Sequence, residues 1–316
     1  MTGPEIWLAP LHGITDAHFR KTLCRHFGGI DFFMSPFLAI QSKGRFNKRV
    51  WTDIFPENND GMHLVPQLMG NDPQGFVDTM LFLNDNFGYE RFNINLGCPS
   101  SKVVRHHRGC ALLTDVCKIE NIVKKITSET DFKLSLKMRL GLKDEEEGVE
   151  VITMLDDYPL DFVVLHPRLG AELYEGCPDL AAFGRFCDIT HHKVVYSGDL
   201  FSVDDYRRVS ASFPKVDAWM LGRGLLRNPF LAEEIKGAER SDRINIFLKY
   251  YCEYVEGVLS VRGEQAALAR LKELWHYYSF FSQLSCDELQ SLLRIKDFLT
   301  FFEQTKKLIN RNNSCV

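Results

Sequence analysis

Short apolar runs recur eight times along the first 225 residues of the chain, and this recurrence constrains the fold more than any other feature of the sequence. Each run is rich in Val, Ile, Leu, Phe or Met. The runs cover residues 6–10, 31–36, 63–70, 91–99, 133–141, 161–168, 193–199 and 218–225. Segments with the apolar spacing of amphipathic helices separate them, for example residues 72–88 and 115–130. The alternation predicts a parallel sheet of the α/β class.

The number of runs favours a closed (β/α)8 TIM barrel. Eight strand–helix units spread over roughly 230 residues come close to the ~250 residues that are usual for this barrel. An open, doubly wound sheet is the alternative. No G-x-G-x-x-G follows the first run, however, where a dinucleotide-binding sheet of that kind carries one.

The pattern changes after residue 240. Beyond that point the sequence has no strand-like run and contains three or four helical stretches. These stretches cover residues 243–261, 264–281, 286–295 and 296–310. Gly237 and the charged run to Asp242 mark a boundary. We therefore expect a barrel domain over residues 1–240 and a C-terminal helical bundle domain over residues 241–316.

Composition excludes several classes of protein. The chain has 316 residues, and no apolar run approaches the ~18 residues that a membrane-spanning helix needs. The N-terminus lacks the basic start and long apolar core of a secretory signal. Nine cysteines without a C-x-x-C pair argue against a disulfide framework, an iron–sulfur cluster or a structural zinc site, and for a cytoplasmic location; we expect no metal site. A net charge of −4 argues against a wholly basic nucleic-acid binder, so RNA binding would need local basic patches.

Six of the eight runs carry polar or reactive side chains at or near their C-terminal ends. These are Gln67, Asn95 with Cys98, Lys137 with Arg139, His166 with Arg168, Ser197 with Asp199, and Arg223. Each one alone has an ordinary structural explanation, such as a turn cap or a buried histidine with satisfied hydrogen bonds. Catalytic groups of this barrel lie at that end of the strands, and the joint pattern predicts an active site there.

The loops after the last two runs predict a phosphate site. They read Ser-Gly-Asp at residues 197–199 and Gly-Arg-Gly at residues 222–224. Glycines let backbone amides approach an anion closely, and this barrel usually binds phosphate at these two loops. Tight turns would explain Gly198 and Gly222 but not Arg223. An apolar wall together with Lys137 suits a flavin, whose reduced ring carries negative charge.

Taken together, six segments of the chain resemble the tRNA-dihydrouridine synthases. They are residues 8–20, 93–104, 136–141, 166–168, 197–199 and 220–229, and the Gly-Cys-Pro turn with its basic loop is the most specific of them. The resemblance implies an enzyme with flavin mononucleotide (FMN). Such an enzyme would reduce the carbon 5–carbon 6 double bond of particular uridines in tRNA, with NADPH as co-substrate.

The resemblance also implies roles for individual residues. Cys98 resembles the catalytic acid, since a thiol with an ordinary pKa near ~8.5 is mostly protonated at neutral pH. Residues that resemble cofactor contacts are Pro10, Leu11, His12, Gln67, Asn95, Lys137, His166, Ser197, Gly198, Asp199, Gly222 and Arg223. Expected tRNA contacts are Lys102, Arg105 and Arg108 after the cysteine, and Lys272, Arg294 and Lys296 in the tail. Further candidates for the tail surface are Arg270, Lys306 and Lys307.

The chain departs from the family pattern at five positions. The family usually has Met at Leu11, a small acidic or polar residue at His12, Glu at Pro36, Asp at Asn93 and Asn at Ser197. Pro36 removes a carboxylate near the substrate and puts uridine recognition in doubt. None of the five changes touches Cys98 or Lys137, so we expect the activity to survive.

Two other functions fit parts of the sequence. A flavin barrel of the dihydroorotate dehydrogenase type would reduce a small molecule, but the basic loop and the helical tail favour tRNA. A tRNA-binding relative without activity would need neither Cys98 nor Lys137. The sequence does not fix which uridine would be modified.

Overall fold

The computed structural model describes residues 3–41 and 51–311. Within these ranges the strands follow the predicted apolar runs. They are β1 (Glu5–Leu8), β2 (Phe32–Met34), β3 (Leu38–Ala39), β4 (Leu64–Val65), β5 (Gln67–Met69), β6 (Arg91–Leu96), β7 (Lys133–Gly141), β8 (Leu160–Leu169), β9 (Val194–Tyr196) and β10 (Ala218–Leu221). Only β3 was not among the predicted runs.

The sheet is parallel and closes on itself. Its strand order is β3-β5-β6-β7-β8-β9-β10-β1-β2-β4. Only Pro66, which has no N–H to give to a ladder, separates β4 from β5, so these two short strands are halves of the single predicted run at residues 63–70. Because β4 pairs with β2 and β5 pairs with β6, this run joins the two ends of the sheet. The closed eight-strand barrel is therefore confirmed, and the doubly wound alternative is wrong.

Large apolar side chains fill the lower part of the barrel. Trp7 packs against Phe32 and Phe162, with ring centroids 4.7 and 4.6 Å apart. Val164, Val195 and Met220 belong to the same buried cluster. The barrel is consequently a packed core rather than a pore, and a ligand has room only above this layer.

Strand register brings the predicted polar residues together above that layer. Asn95 on β6 lies beside Lys137 on β7, and Gln67 on β5 lies beside Asn93 on β6. Side chains in register on neighbouring strands point to the same face of a sheet. The interior of the barrel thus becomes polar toward the carboxyl ends of the strands.

Helices cover the outside of the barrel and form the C-terminal segment. In the described residues they are α1 (Ala17–His26), α2 (Pro73–Phe87), α3 (Ser101–Val104), α4 (Val116–Glu129), α5 (Glu146–Leu155), α6 (Leu180–Ile189), α7 (Val203–Ser212), α8 (Arg223–Arg227), α9 (Leu231–Ile235), α10 (Arg243–Phe281), α11 (Cys286–Leu293) and α12 (Phe298–Arg311). Short 3₁₀ turns lie at Thr52–Ile54, Pro56–Asn58 and Gly109–Thr114. In this part of the chain, no helix combines the length and the apolar character that crossing a membrane requires.

The C-terminal helices pack against the first helix of the barrel. The long helix α10 is interrupted at Gly263, whose φ of 73° lies in the left-handed region that glycine tolerates. The imidazole of His18 on α1 stacks on Tyr254 of α10 and contacts the Tyr254 carbonyl oxygen at 3.0 Å. A Cβ atom at Gly257 would lie 2.1 Å from that imidazole, so a glycine is needed where the two helices meet. The helical segment is thus fixed beside the rim of the barrel.

Candidate active site

Two adjoining cavities open at the carboxyl ends of the strands. The larger has a volume of about 490 Å³, and the smaller has about 80 Å³. Cys98 and Asn95 line the larger cavity, Ser197, Gly198, Asp199 and Gly222 line the smaller one, and Lys137, His166 and Arg223 line both. Of the residues predicted for catalysis and cofactor binding, only Gln67 is absent from the walls.

Asn95 positions the turn that carries Cys98. Its Oδ1 atom accepts hydrogen bonds from the backbone N–H of Gly97 at 3.2 Å and of Cys98 at 2.9 Å. Burial raises the pKa of the Cys98 thiol, although a backbone hydrogen bond from Ser100 and the charges of Arg139 and Lys137 act in the opposite direction. The thiol therefore holds its proton at neutral pH, as a general acid requires.

Gln67 lies in a buried amide network rather than on the cavity wall. Its side chain accepts from Asn95 and donates to Asn93, both at 2.8 Å. Asn93 in turn donates to the Ser135 hydroxyl at 3.0 Å, and that hydroxyl donates to the Phe92 carbonyl oxygen. Each polar group of Asn93 is thus matched by a neutral partner. An aspartate at this position could not donate to Ser135, so the departure at Asn93 is consistent with its surroundings.

Lys137 is a lysine without a partner in the part of the chain that the structure describes. It lines both cavities and is only partly exposed. Burial, reinforced by the nearby charge of Arg139, lowers its pKa to about 8, with only a small opposing effect of Cys98. A desolvated ammonium group that faces a cavity is a strong binding group for an anion.

Arg139 and Arg168 are also buried beside the cavities and bind backbone carbonyl oxygens of the surrounding loops, and Arg168 also binds the side chains of His166 and Asp199. Arg139 donates to the carbonyl oxygens of Gly97, Leu169 and Leu173. It thereby ties the cysteine turn to the loop after β8. Arg168 donates to the carbonyl oxygens of Glu175 and Gly176 in the same loop. Both arginines therefore act mainly as structural supports of the cavity.

His166 is held as a neutral imidazole. Burial lowers its pKa well below the ordinary value, and the charges of Lys137, Arg139, Arg168 and Arg223 lower it further. Its Nε2 atom lies 3.1 Å from Nη1 of Arg168. An arginine can only donate, so Nε2 accepts and the ring proton resides on Nδ1. The histidine can thus offer one N–H donor to a ligand.

Asp199 links two arginines at the smaller cavity. One carboxylate oxygen accepts from Arg168 and the other from Arg223. Burial alone would raise the pKa of Asp199, but the hydrogen bonds and charges of these arginines outweigh it and hold the pKa below its usual range. The carboxylate therefore orients Arg223, whose guanidinium also lies over the Tyr174 ring at 4.7 Å.

Backbone donors without acceptors surround the smaller cavity. In residues 3–41 and 51–311, the N–H groups of Gly198, Asp199 and Gly222 have no hydrogen-bond acceptor. Together with the Arg223 guanidinium they form a set of donors around one small space. Such a set matches the oxygen atoms of a phosphate group.

Aromatic side chains that sequence reasoning missed complete the walls. Tyr174, in the loop after β8, lines both cavities, and Tyr277 of α10 lines the larger one. His12 stacks on Phe37 at 4.6 Å at the mouth. The only sequence signal for Tyr277 was its place in an aromatic helix segment, which does not distinguish it from the fully buried Tyr278 beside it.

The predicted tRNA-contact residues have different environments. Those that are exposed are Lys102, Arg105, Arg294, Lys296 and Lys307, and those that are partly buried are Arg108, Lys272 and Lys306. Lys306 forms an ion pair with Glu303 at 2.6 Å. The assignment of Arg270 to this surface is wrong. That side chain is 6% exposed and donates to the Tyr254 hydroxyl and to the Ile14 carbonyl oxygen.

Thr15 and Arg20 belong to the segment 8–20, the first-strand signature of the family resemblance, and Arg20 has a structural role. It is fully buried and donates to the carbonyl oxygens of Thr15 and Asp53 and to the side chains of Asp53 and Asn59. Thr15 donates to the Ala9 carbonyl oxygen and accepts from the Leu11 N–H. The signature therefore shapes the loop that carries Pro10, Leu11 and His12 into the larger cavity.

Comparisons with known proteins agree on one family. The family model described as "Dihydrouridine synthase (Dus)" matches residues 7–304. The chain is 28% identical over 239 residues to tRNA-dihydrouridine(16) synthase of Aquipseudomonas alcaligenes, covering 73% of this chain and 75% of that protein. It is 28% identical over 235 residues to tRNA-dihydrouridine synthase B of Vibrio parahaemolyticus, covering 72% and 70%.

Solved structures share the fold at low sequence identity. An old yellow enzyme homologue from Zymomonas mobilis has a TM-score of 0.51 at 14% identity, over 79% of this chain and 95% of that one. Histamine dehydrogenase from Rhizobium sp. 4-9 has a TM-score of 0.57 at 12% identity, over 79% and 49%. These similarities support the barrel architecture alone.

Proposed function

The chain belongs to the dihydrouridine synthase family, and on that premise we propose that it uses FMN and NADPH to reduce the carbon 5–carbon 6 double bond of specific uridines in tRNA. The observation that carries this proposal is the position of Cys98. A thiol with a raised pKa lines the same cavity as a lysine that has no partner in residues 3–41 and 51–311, and it lies next to a cluster of backbone and arginine donors that suits a phosphate.

The residues present fit FMN. Its phosphate would be held by the N–H groups of Gly198, Asp199 and Gly222, which have no acceptor among the described residues. The Arg223 guanidinium would also hold it, because it has N–H groups besides the one that binds Asp199. Lys137 would lie against the flavin ring, because its ammonium has no partner among the described residues. Gln67 would act indirectly, by holding the side chain of Asn95.

When bound, reduced FMN would supply a hydride to carbon 6 of the uracil ring. Cys98 would carry the proton that carbon 5 then needs. Its raised pKa keeps the thiol protonated at neutral pH, which suits an acid better than a nucleophile. Lys137 and the Nδ1–H of His166 would stabilise negative charge on the reduced flavin ring. Tyr174 and Tyr277 would exclude water from the uridine pocket.

The helical segment after residue 240 and the loop after Cys98 would bind the tRNA. Lys102 and Arg105 are exposed directly after the cysteine turn, and Ser100 between them and Cys98 lines the cavity. Their charges provide a local positive patch on a protein whose net charge is −4. A small-molecule reductase would have no use for this patch.

The test is dihydrouridine formation by the purified protein. Flavin absorbance establishes the cofactor, and mass spectrometry of tRNA that lacks dihydrouridine, before and after incubation with NADPH, identifies the product and its position. Cys98→Ala should slow the reaction by ~10²–10⁴-fold while the flavin stays bound. Cys117→Ala, an exposed cysteine of α4, is the matched control and should leave the rate unchanged. A flavin-loaded protein that leaves every tRNA unreduced would contradict the proposal and favour a small-molecule substrate.

A further inference from the structure

A third cavity lies outside the active site, between the barrel and the C-terminal helices. Its volume of about 730 Å³ exceeds that of the larger active-site cavity. Its walls come from the end of α8, the start of α10 and the C-terminal end of α10, and include Arg227, Asp242, Arg243 and Phe280. Phe201 separates it from the smaller active-site cavity, because this ring lines both. We call it the outer cavity.

The Arg227 guanidinium is fixed between two aromatic rings in the outer cavity. Its central carbon lies 4.0 Å from the ring centroid of Phe201 and 4.0 Å from that of Phe280. Cation–π contacts with both rings restrict the orientation of the guanidinium. Phe280 is 55% exposed, which is a large fraction for a phenylalanine side chain. The arrangement presents an oriented cation beside an exposed aromatic ring.

Arg227 differs from its cationic neighbours because nothing in residues 3–41 and 51–311 pairs with it. Its Nε atom is buried without a hydrogen-bond partner. Arg243, across the cavity, forms an ion pair with Glu234 at 2.7 Å and donates to Asn228. The carboxylate of Asp199 is engaged by two other arginines. A positive charge that is partly desolvated, oriented and unpaired among the described residues favours the binding of an anionic ligand.

The position of the outer cavity indicates which anion it receives. Arg223 and Arg227 lie at the two ends of α8, and Tyr277 and Phe280 lie one turn apart on α10. The first member of each pair faces the active site and the second faces the outer cavity. One helical turn spans about 5.4 Å. A nucleic-acid strand with its reacting base in the active site would therefore pass the outer cavity within a few nucleotides. Arginine combined with exposed aromatic rings is typical of grooves for single-stranded nucleic acid.

We propose that the outer cavity binds a backbone phosphate of the tRNA, with Arg227 as the phosphate ligand and with Phe201 and Phe280 holding its guanidinium in place. The inference rests on the proposed function, since it concerns the path of that substrate. It assigns a role in substrate positioning to residues that are not part of the flavin site.

The test compares tRNA binding by the flavin-loaded protein and its variants over a range of salt concentrations. Arg227→Gln should weaken tRNA binding about 10-fold and lower the slope of log K against log salt by about 0.7–0.9, which is the loss of one phosphate contact. Phe280→Ala keeps the charge, so it should weaken binding several-fold with little change in slope. Arg185→Gln removes an exposed arginine that pairs with Glu145 on the outside of the barrel, and it is the charge-matched control.

Two outcomes would overturn the inference while leaving the proposed function intact. In one, Arg227→Gln binds tRNA with the affinity and salt slope of Arg185→Gln while the wild-type protein forms dihydrouridine. In the other, Arg227→Gln raises the KM for NADPH and leaves tRNA affinity unchanged, so that the phosphate belongs to the dinucleotide. A wild-type protein that makes no dihydrouridine would contradict the proposed function itself. The tRNA affinity of Arg227→Gln is measured independently of this result, and an unchanged affinity would contradict the inference alone.

Discussion

Lys137 should make the flavin-free protein less stable below pH 8 than above it. Burial and the charge of Arg139 lower the pKa of this lysine from 10.5 to about 8. That difference corresponds to roughly 3 kcal/mol of unfavourable free energy for the charged form in the folded state. Below pH 8 the folded and unfolded chains both carry the proton, and the whole cost is present. Between about 8 and 10.5 the folded chain releases the proton first, so its stability rises with pH.

The assay is urea denaturation of the flavin-free protein at several pH values from 7 to 10.5. Lys137→Met removes the titrating group, so the free energy of unfolding of the wild type relative to this variant should increase by up to roughly 3 kcal/mol across that range. Lys124→Met, which removes an exposed lysine of α4, is the control, and its free energy of unfolding should change with pH as that of the wild type does. If the free energies of unfolding of the wild type and Lys137→Met also changed with pH in the same way, the lysine would be well solvated or paired, and our reasoning about an anion site would fail.

Four further variants test other parts of the protein. Arg223→Ala should weaken FMN binding by roughly 1.5–3 kcal/mol and give pale protein, and full flavin occupancy would move the phosphate site elsewhere. Asn93→Asp should destabilise the protein by at least 1–3 kcal/mol in urea denaturation, because it buries a carboxylate and removes a donor to a serine hydroxyl. Neutralising Lys272 and Lys296 together should raise the KM for tRNA and flatten its salt dependence, whereas Lys306→Gln should have little effect because that lysine is paired. An unchanged salt slope in the double variant would make the helical segment a structural cap.

The sequence predicted the barrel because parallel strands buried on both faces form continuous apolar runs, which are easy to recognise. It could not predict that Pro66 splits one strand into two halves, since the ladder on each side depends on different neighbours. It also missed β3, whose two residues are too few to form a pattern. The tail helices followed from their periodicity, and Gly263 marks the interruption between the first two.

For the site, the sequence predicted which residues gather but not what each side chain does there. Gln67 and Asn95 were predicted alike, yet Gln67 is enclosed in an amide network and Asn95 faces the cavity. Arg270 looked like a surface cation because its helix is amphipathic, but it lies on the face that packs against the barrel. Arg227 lies in the segment 220–229 that resembles the family, but nothing in the sequence distinguished it from the other residues of that segment. Its partners Phe201 and Phe280 are distant in sequence, and only the fold brings them together.

The arrangement of charge around the active site separates structural cations from binding cations. Arg139 and Arg168 donate to backbone carbonyl oxygens, so their charges are used in holding loops. Asp199 pairs with both Arg168 and Arg223, neutralises part of their charge and orients Arg223. Among the described residues, Lys137 is then left without a counter-charge at one side of the site, and Arg223 has spare donors at the other. FMN carries negative charge in two places, at its phosphate and, when reduced, at its ring. Lys137 and Arg223, which keep donors free for a ligand, therefore correspond to the two charged parts of the proposed cofactor, so removing either one should weaken flavin binding.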